Sequence, residues 1–131
     1  MGAITLQRIL LADDEPDILE VARIALQTVG GYEVSACTSG AELLERLPEF
    51  DPDLVVIDVL MPDMAGLEVL ENVRATPGCE KLPVIFLTGL VQEKDLQELR
   101  QSDAAEIIRK PFDPMTLADR IDGVWESFRG R

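Results

Sequence analysis

The run Leu54-Val55-Val56-Ile57 contains no polar residue that could face water. A strand that is apolar on both faces needs cover on both, and the architecture that supplies it is a parallel sheet with helices on either side. Runs of strand length at Arg8–Ala12, Glu33–Ala36, Leu54–Ile57, Val84–Leu87 and Glu106–Ile108, mostly bounded by turn or acidic residues, predict five strands. Between them the apolar residues take helical spacing: Ile18, Val21, Ala22, Ala25 and Val29, then Ala41, Leu44 and Leu47, then Leu67, Leu70 and Val73, and finally Leu117, Ile121, Val124 and Phe128. Pro16 after Asp14-Glu15 and Pro114 after Asp113 read as first-turn prolines behind acidic caps, and Gly30-Gly31 as a helix stop. The alternation is βα repeated five times, and right-handed crossovers turn it into a three-layer, doubly wound α/β sheet. No repeat, low-complexity tract or linker divides the chain, so residues 1–131 are expected to form one domain, long enough to bury roughly two-thirds of its unfolded surface.

Charge narrows the function. The chain carries 12 Lys plus Arg against 25 Asp plus Glu and no histidine, a formal net charge of −13. Without histidine there is no Ser-His-Asp or Cys-His catalysis and no His-ligated metal. A surface this acidic repels polyphosphate, so no direct nucleic-acid partner is expected. Cys37 and Cys79 are too few for a disulfide framework and lack CxxC spacing, which favours a reducing compartment and small buried side chains. No apolar run approaches the ~18 residues of a membrane span, no basic segment precedes the first hydrophobic one, and Leu6 stands where N-myristoylation needs Ser or Thr. No membrane insertion and a soluble, cytoplasmic location are therefore expected. Carboxylates are left to carry the chemistry.

Polar groups stand where the apolar runs stop: Asp13-Asp14 after the first, Asp58 after the third, Thr88 after the fourth and Lys110 after the fifth. In an open parallel sheet the carboxyl ends of the strands form the crevice in which ligands bind. Singly, Asp14 reads as a helix cap, and Thr88 and Lys110 as residues common at the start of loops. Jointly, three crowded carboxylates repel one another and raise a pKa, a cost that a hard divalent cation removes. Mg²⁺ suits such oxygen ligands and takes one or two carboxylates together with phosphate oxygens, so the implied substrate is a phosphoryl group. A carboxylate is a competent nucleophile for phosphoryl transfer once charge repulsion is cancelled, here by Mg²⁺ and Lys110, while Thr88 would donate to a phosphoryl oxygen. Asp58 is the best nucleophile candidate, because it ends the most apolar run and precedes the turn signal Met61-Pro62-Asp63-Met64-Ala65-Gly66.

The segments Leu11-Ala12-Asp13-Asp14-Glu15-Pro16, Val56-Ile57-Asp58-Val59-Leu60-Met61-Pro62-Asp63-Met64-Ala65-Gly66, Phe86-Leu87-Thr88-Gly89 and Arg109-Lys110-Pro111-Phe112 together resemble the receiver domain of two-component response regulators. The likeness covers essentially the whole chain and is nearest to a single-domain, chemotaxis-regulator-like receiver. It implies a flavodoxin-like sheet of order 2-1-3-4-5, Asp58 as phosphoacceptor, and Mg²⁺ held by Asp13, Asp14, Asp58 and the backbone carbonyl of Leu60. It further implies Thr88 and Lys110 as phosphoryl contacts and triggers, and a cis Lys110-Pro111 bond. The implied donor is a phosphohistidine on a sensor histidine kinase or histidine phosphotransfer protein. With no room for an output domain, output is expected in trans, by docking a downstream protein target. The chain is expected to catalyse only its own phosphorylation and dephosphorylation and to be no enzyme otherwise.

Two departures from the family carry expectations. Gly89 follows the trigger threonine where Ala or Ser is usual, loosening that loop. Ile107 stands where a Tyr or Phe often swings inward, so a permanent apolar contact replaces an aromatic gate. In the family's geometry Leu60 and Leu90 flank the in-line approach of water. Both are apolar, so the aspartyl phosphate is expected to be long-lived and cleared by a phosphatase or by reverse transfer. Segment Gln92–Asp103 offers only Leu96 and Leu99 as anchors, so its helix is expected to be the least firmly packed and, with the fifth strand, to form the partner surface. Two other classes compete. A phosphorylation-independent interaction module with a receiver fold has no physical need for a charge-strained crevice. A phosphoaspartate hydrolase of the haloacid dehalogenase type would show Asp-x-Asp where this chain has Asp58-Val59-Leu60.

Overall fold

Each expected run is a strand in the computed structural model, which describes residues 5–89 and 92–129. Among the described residues five strands, β1 (Arg8–Ala12), β2 (Glu33–Cys37), β3 (Leu54–Asp58), β4 (Val84–Thr88) and β5 (Glu106–Arg109), form one sheet of order β2-β1-β3-β4-β5. All neighbouring pairs are parallel. β3 and β4 are buried along their whole length, as their apolar composition on both faces demands. Each extends one residue past its apolar run, so Asp58 and Thr88 are themselves strand residues, in register with Leu87 and Arg109 respectively. That fixes where their side chains start.

Alternate strand residues feed two separate cores. On one side Ile9, Leu11, Leu54, Val56, Ile85, Leu87 and Ile108 pack with residues of α1 (Pro16–Ile24) and α5 (Leu117–Arg129). On the other, Leu10, Ala12, Val55, Ile57, Val84 and Phe86 pack with residues of α2 (Gly40–Phe50), α3 (Gly66–Arg74) and α4 (Glu93–Gln101). Within α4 the buried residues are Leu96 and Leu99, the two anchors expected of it. Cys37 is buried and Cys79 half-buried, both free, and burial pushes the Cys37 thiol up to about 11.

Two local expectations change. α1 does not end as an α-helix but continues through a π-helical turn, Ala25–Val29, that closes on Gly30 and on Gly31 with φ +73°. Its buried face is Leu19, Ala22, Ala25 and Leu26, whereas Val21 and Val29 are outward-facing and nearly half exposed. Apolar residues occupy two stripes of this helix, and tertiary packing selects one of them. Pro16 does open α1, but Pro114 does not open α5, which starts at Leu117. The intervening residues form a turn capped by Asp113, whose Oδ1 accepts from Met115 N–H at 2.9 Å and whose carbonyl accepts from Leu117 N–H at 3.0 Å. Among the described residues no helix is long and apolar enough to cross a membrane.

Candidate functional site

The backbone leaving each strand stays tied to its neighbour, which delivers the side chains to the same edge of the sheet. Asp13 N–H donates to the Cys37 carbonyl at 3.1 Å, Val59 N–H to Leu87 at 3.1 Å, and Lys110 N–H to Thr88 at 2.8 Å. Asp13, Asp58 and Thr88 are the buried polar residues of the described chain, at 0%, 5% and 1% exposure. The Lys110-Pro111 bond is cis. The loop after Asp58 turns back through a bond from Gly66 N–H to the Val59 carbonyl at 2.8 Å. A Cβ on Gly66 would lie 2.9 Å from Val59 Cα and 3.0 Å from the Phe86 ring, so this close approach requires glycine. From the same loop, Asp63 accepts from Ala41 N–H at 2.9 Å and Gly40 N–H at 3.2 Å, locking the loop to the start of α2. Those backbone donors, Ala41 foremost, hold its carboxyl below the usual range.

Lys110 Nζ lies 2.8 Å from Asp13 Oδ2, 3.2 Å from Asp58 Oδ1 and 3.3 Å from Glu15 Oε1. One ammonium thus serves several carboxylates. Burial, the charge of Asp13 and a contact with Asp14 outweigh the pull of Lys110 and raise the Asp58 carboxyl to about 6. For Lys110 burial opposes the charged form, but Asp13 and Asp58 outweigh it and hold the ammonium above the usual lysine range. Carboxylate oxygens of Asp13, Asp14 and Asp58 fall within 4.8 Å of one another. Asp14 Oδ1 is buried with no hydrogen-bond partner among the described residues. Excess negative charge, hard oxygen donors and an orphaned buried oxygen fit a divalent cation such as Mg²⁺.

The residues singled out in the sequence divide as follows. Asp13, Asp14, Asp58 and Lys110 converge, and Thr88 ends the strand beside Asp58. Leu60 is 63% exposed and lines a cleft between the β3–α3 loop and α4, with Leu67, Asp95 and Leu99. Ile107 is half-buried against the α2–α3–α4 core and pairs with Phe86. Leu90 lies outside the described residues. Sequence reasoning missed Glu15, Asp63 and Gly66. The turn signal around Asp63 and Gly66 marked their loop, whereas nothing marked Glu15 as a partner for a residue far along the chain.

Comparison with known proteins agrees with this geometry. The model of the response regulator receiver domain family matches residues 9–122. The DNA-binding response regulator MtrA of Mycolicibacterium smegmatis is 33% identical over 115 residues, which are 88% of this chain and 49% of that protein. Among solved structures, a CheY-like response regulator receiver domain protein from Methanospirillum hungatei superposes with a TM-score of 0.84 at 27% identity, covering 96% of this chain and 98% of that one. The chemotaxis response regulator CheY4 of Vibrio cholerae superposes with a TM-score of 0.83 at 31% identity, covering 92% and 99%. The chain spans half or less of the length of several curated relatives it matches.

Proposed function

The chain belongs to the response regulator receiver domain family, and from that premise we propose that residues 1–131 act as one receiver domain whose Asp58 takes a phosphoryl group from a phosphohistidine of a partner kinase or phosphotransfer protein. The observation that carries the reading is the shared ammonium: Lys110 is within 3.2 Å of the Asp58 carboxylate and 2.8 Å of Asp13. In the transfer an Asp58 oxygen forms a bond to phosphorus as the phosphorus–nitrogen bond to the donor imidazole breaks, and the bonding pair returns to that nitrogen. Asp58, with its carboxyl near 6, is ionised at neutral pH and able to attack. Lys110 offsets charge on the incoming group, and the Thr88 hydroxyl donates to a phosphoryl oxygen. Mg²⁺, held by Asp13, Asp14, Asp58 and the Leu60 carbonyl, supplies the remaining charge neutralisation when bound.

Output in this reading is protein docking through α4 and β5, with a phosphatase or reverse transfer clearing the signal, and the location is the cytoplasm. α4 is the candidate mover because two buried leucines, Leu96 and Leu99, anchor it. Hydrogen exchange with and without beryllofluoride is expected to change most over α4 and β5, and a uniform change would contradict the assignment. The function itself is tested by incubating the protein with acetyl phosphate and Mg²⁺ and mapping adducts by mass spectrometry. One stoichiometric phosphoryl group on Asp58 is expected. No adduct would favour a phosphorylation-independent module, and continuous turnover a hydrolase.

A further inference from the structure

Lys110 has a third carboxylate within reach, outside the buried pair. Glu15 Oε1 approaches Nζ to 3.3 Å, and its side chain is 60% exposed while those of Asp13 and Asp58 are 0% and 7%. The backbone of Glu15 is pinned on both sides. Its N–H donates to Asp13 Oδ1 at 2.8 Å, its carbonyl accepts from Leu19 N–H at 2.9 Å, and Pro16 holds it in the extended conformation it adopts, φ −88° and ψ 109°. Glu15 occupies the N-cap of α1, where a side chain ordinarily accepts from a first-turn N–H. It makes no such bond and reaches instead across the crevice to Lys110.

We propose that Glu15 is a positioning residue that shares Lys110 with the buried carboxylates, drawing the ammonium toward the mouth and leaving Asp13 and Asp58 open to a divalent cation. The inference rests on the phosphoacceptor reading above. An ammonium seated wholly on Asp13 and Asp58 competes with the cation for the same oxygens. Whatever part of that charge Glu15 holds, the buried pair keeps available. Glu15 acts through Lys110, because its carboxylate approaches Nζ at 3.3 Å and is not one of the three carboxylates, Asp13, Asp14 and Asp58, that converge on the cation site.

The test is a calorimetric Mg²⁺ titration, at about 0.15 M salt, of the wild type, Glu15→Gln, Lys110→Ala and the double variant. With Lys110 present, Glu15→Gln is expected to weaken Mg²⁺ binding about two- to fivefold, the scale of a solvent-exposed ion pair. In the Lys110→Ala background the same substitution is expected to have clearly less effect, as a double-mutant cycle requires of a residue acting through another. Equal weakening in both backgrounds would reduce Glu15 to a remote charge and overturn the inference, as would no weakening in the presence of Lys110. A wild type that takes up a phosphoryl group on Asp58 and binds Mg²⁺, with Glu15→Gln indistinguishable from it, overturns this inference alone. A wild type that binds no Mg²⁺ and takes up no phosphoryl group overturns the underlying reading and this inference with it.

Discussion

β1 and β3 meet charge at both of their ends and treat it in opposite ways. At the amino ends Arg8 Nε donates to the Phe50 carbonyl at 2.8 Å, Nη1 pairs with Glu33 at 2.9 Å, and the guanidinium lies 4.3 Å above the Phe50 ring. Asp53 accepts from the N–H groups of Gln7 and Arg8 at 3.1 and 3.0 Å. Each charge there has its complement. At the carboxyl ends Lys110 faces Asp13, Asp58 and Glu15, Asp14 Oδ1 has no partner among the described residues, and the Asp58 carboxyl rises to about 6. Unpartnered charge at one end of a strand, next to satisfied charge at the other, marks where a ligand completes the structure.

Asparagine scanning along β3 tests that contrast most sharply. Asp58→Asn is expected to abolish phosphoryl uptake from acetyl phosphate, and Asp53→Asn, at the opposite end of the strand, to retain it, both read by intact mass. Retained uptake in Asp58→Asn would erase the distinction.

The same pair is expected to move stability in opposite directions when Mg²⁺ is absent. The folded-state pKa of Asp58 is raised from 3.8 to about 6, so between these values the folded protein binds a proton that the unfolded chain has released. Stability contributed by Asp58 therefore falls as pH rises from about 4 to about 6, and the cost is complete at neutral pH. Asp58→Asn is expected to stabilise by about 1–3 kcal/mol at pH 7 in urea unfolding, the gain fading below pH 6 and gone near pH 4. Asp53→Asn, which weakens a carboxylate accepting two backbone N–H groups, is expected to lose about 1–2 kcal/mol.

Smaller effects follow. Mg²⁺ at ten times its dissociation constant is expected to stabilise the wild type by about 1.4 kcal/mol, to do nothing for Asp14→Ala, and to act undiminished on Asp53→Asn. Thermal scans with and without the ion measure this. Arg8→Lys, which loses the fork geometry and the stacking on Phe50, is expected to cost about 0.5–1 kcal/mol and to leave phosphoryl uptake intact.

Strands were legible in the sequence nearly to the residue, because burial on both faces leaves an unbroken apolar run that few other settings tolerate. The one-residue extensions at Asp58 and Thr88 were not, since a polar residue reads as the end of a run while its backbone can still pair. The buried face of α1 was read only in part: Ala22 and Ala25 are buried as expected, but the face turns toward Leu19 and Leu26 and leaves Val21 and Val29 outside, because Ile18 and Val21 have the same i, i+3 spacing as Leu19 and Ala22. Spacing cannot choose between equivalent stripes. The acidic pair, Thr88 and Lys110 could be singled out because each stands where its own apolar run stops. Glu15 escaped notice because its contact is with Lys110, whose position depends on the strand order and not on anything near residue 15.

The separation of the core into two clusters bears on how this sequence can diverge. Among the described residues the clusters have no side chain in common, and the backbone of the sheet is the wall between them. Leu26 belongs to one and Leu47 to the other. A change of volume at either is accommodated by neighbours on its own side, so substitutions at the two combine additively. Lineages can thus exchange residues on one side of the sheet without renegotiating the other, and only the strand register, which assigns every residue to its side, has to be inherited whole.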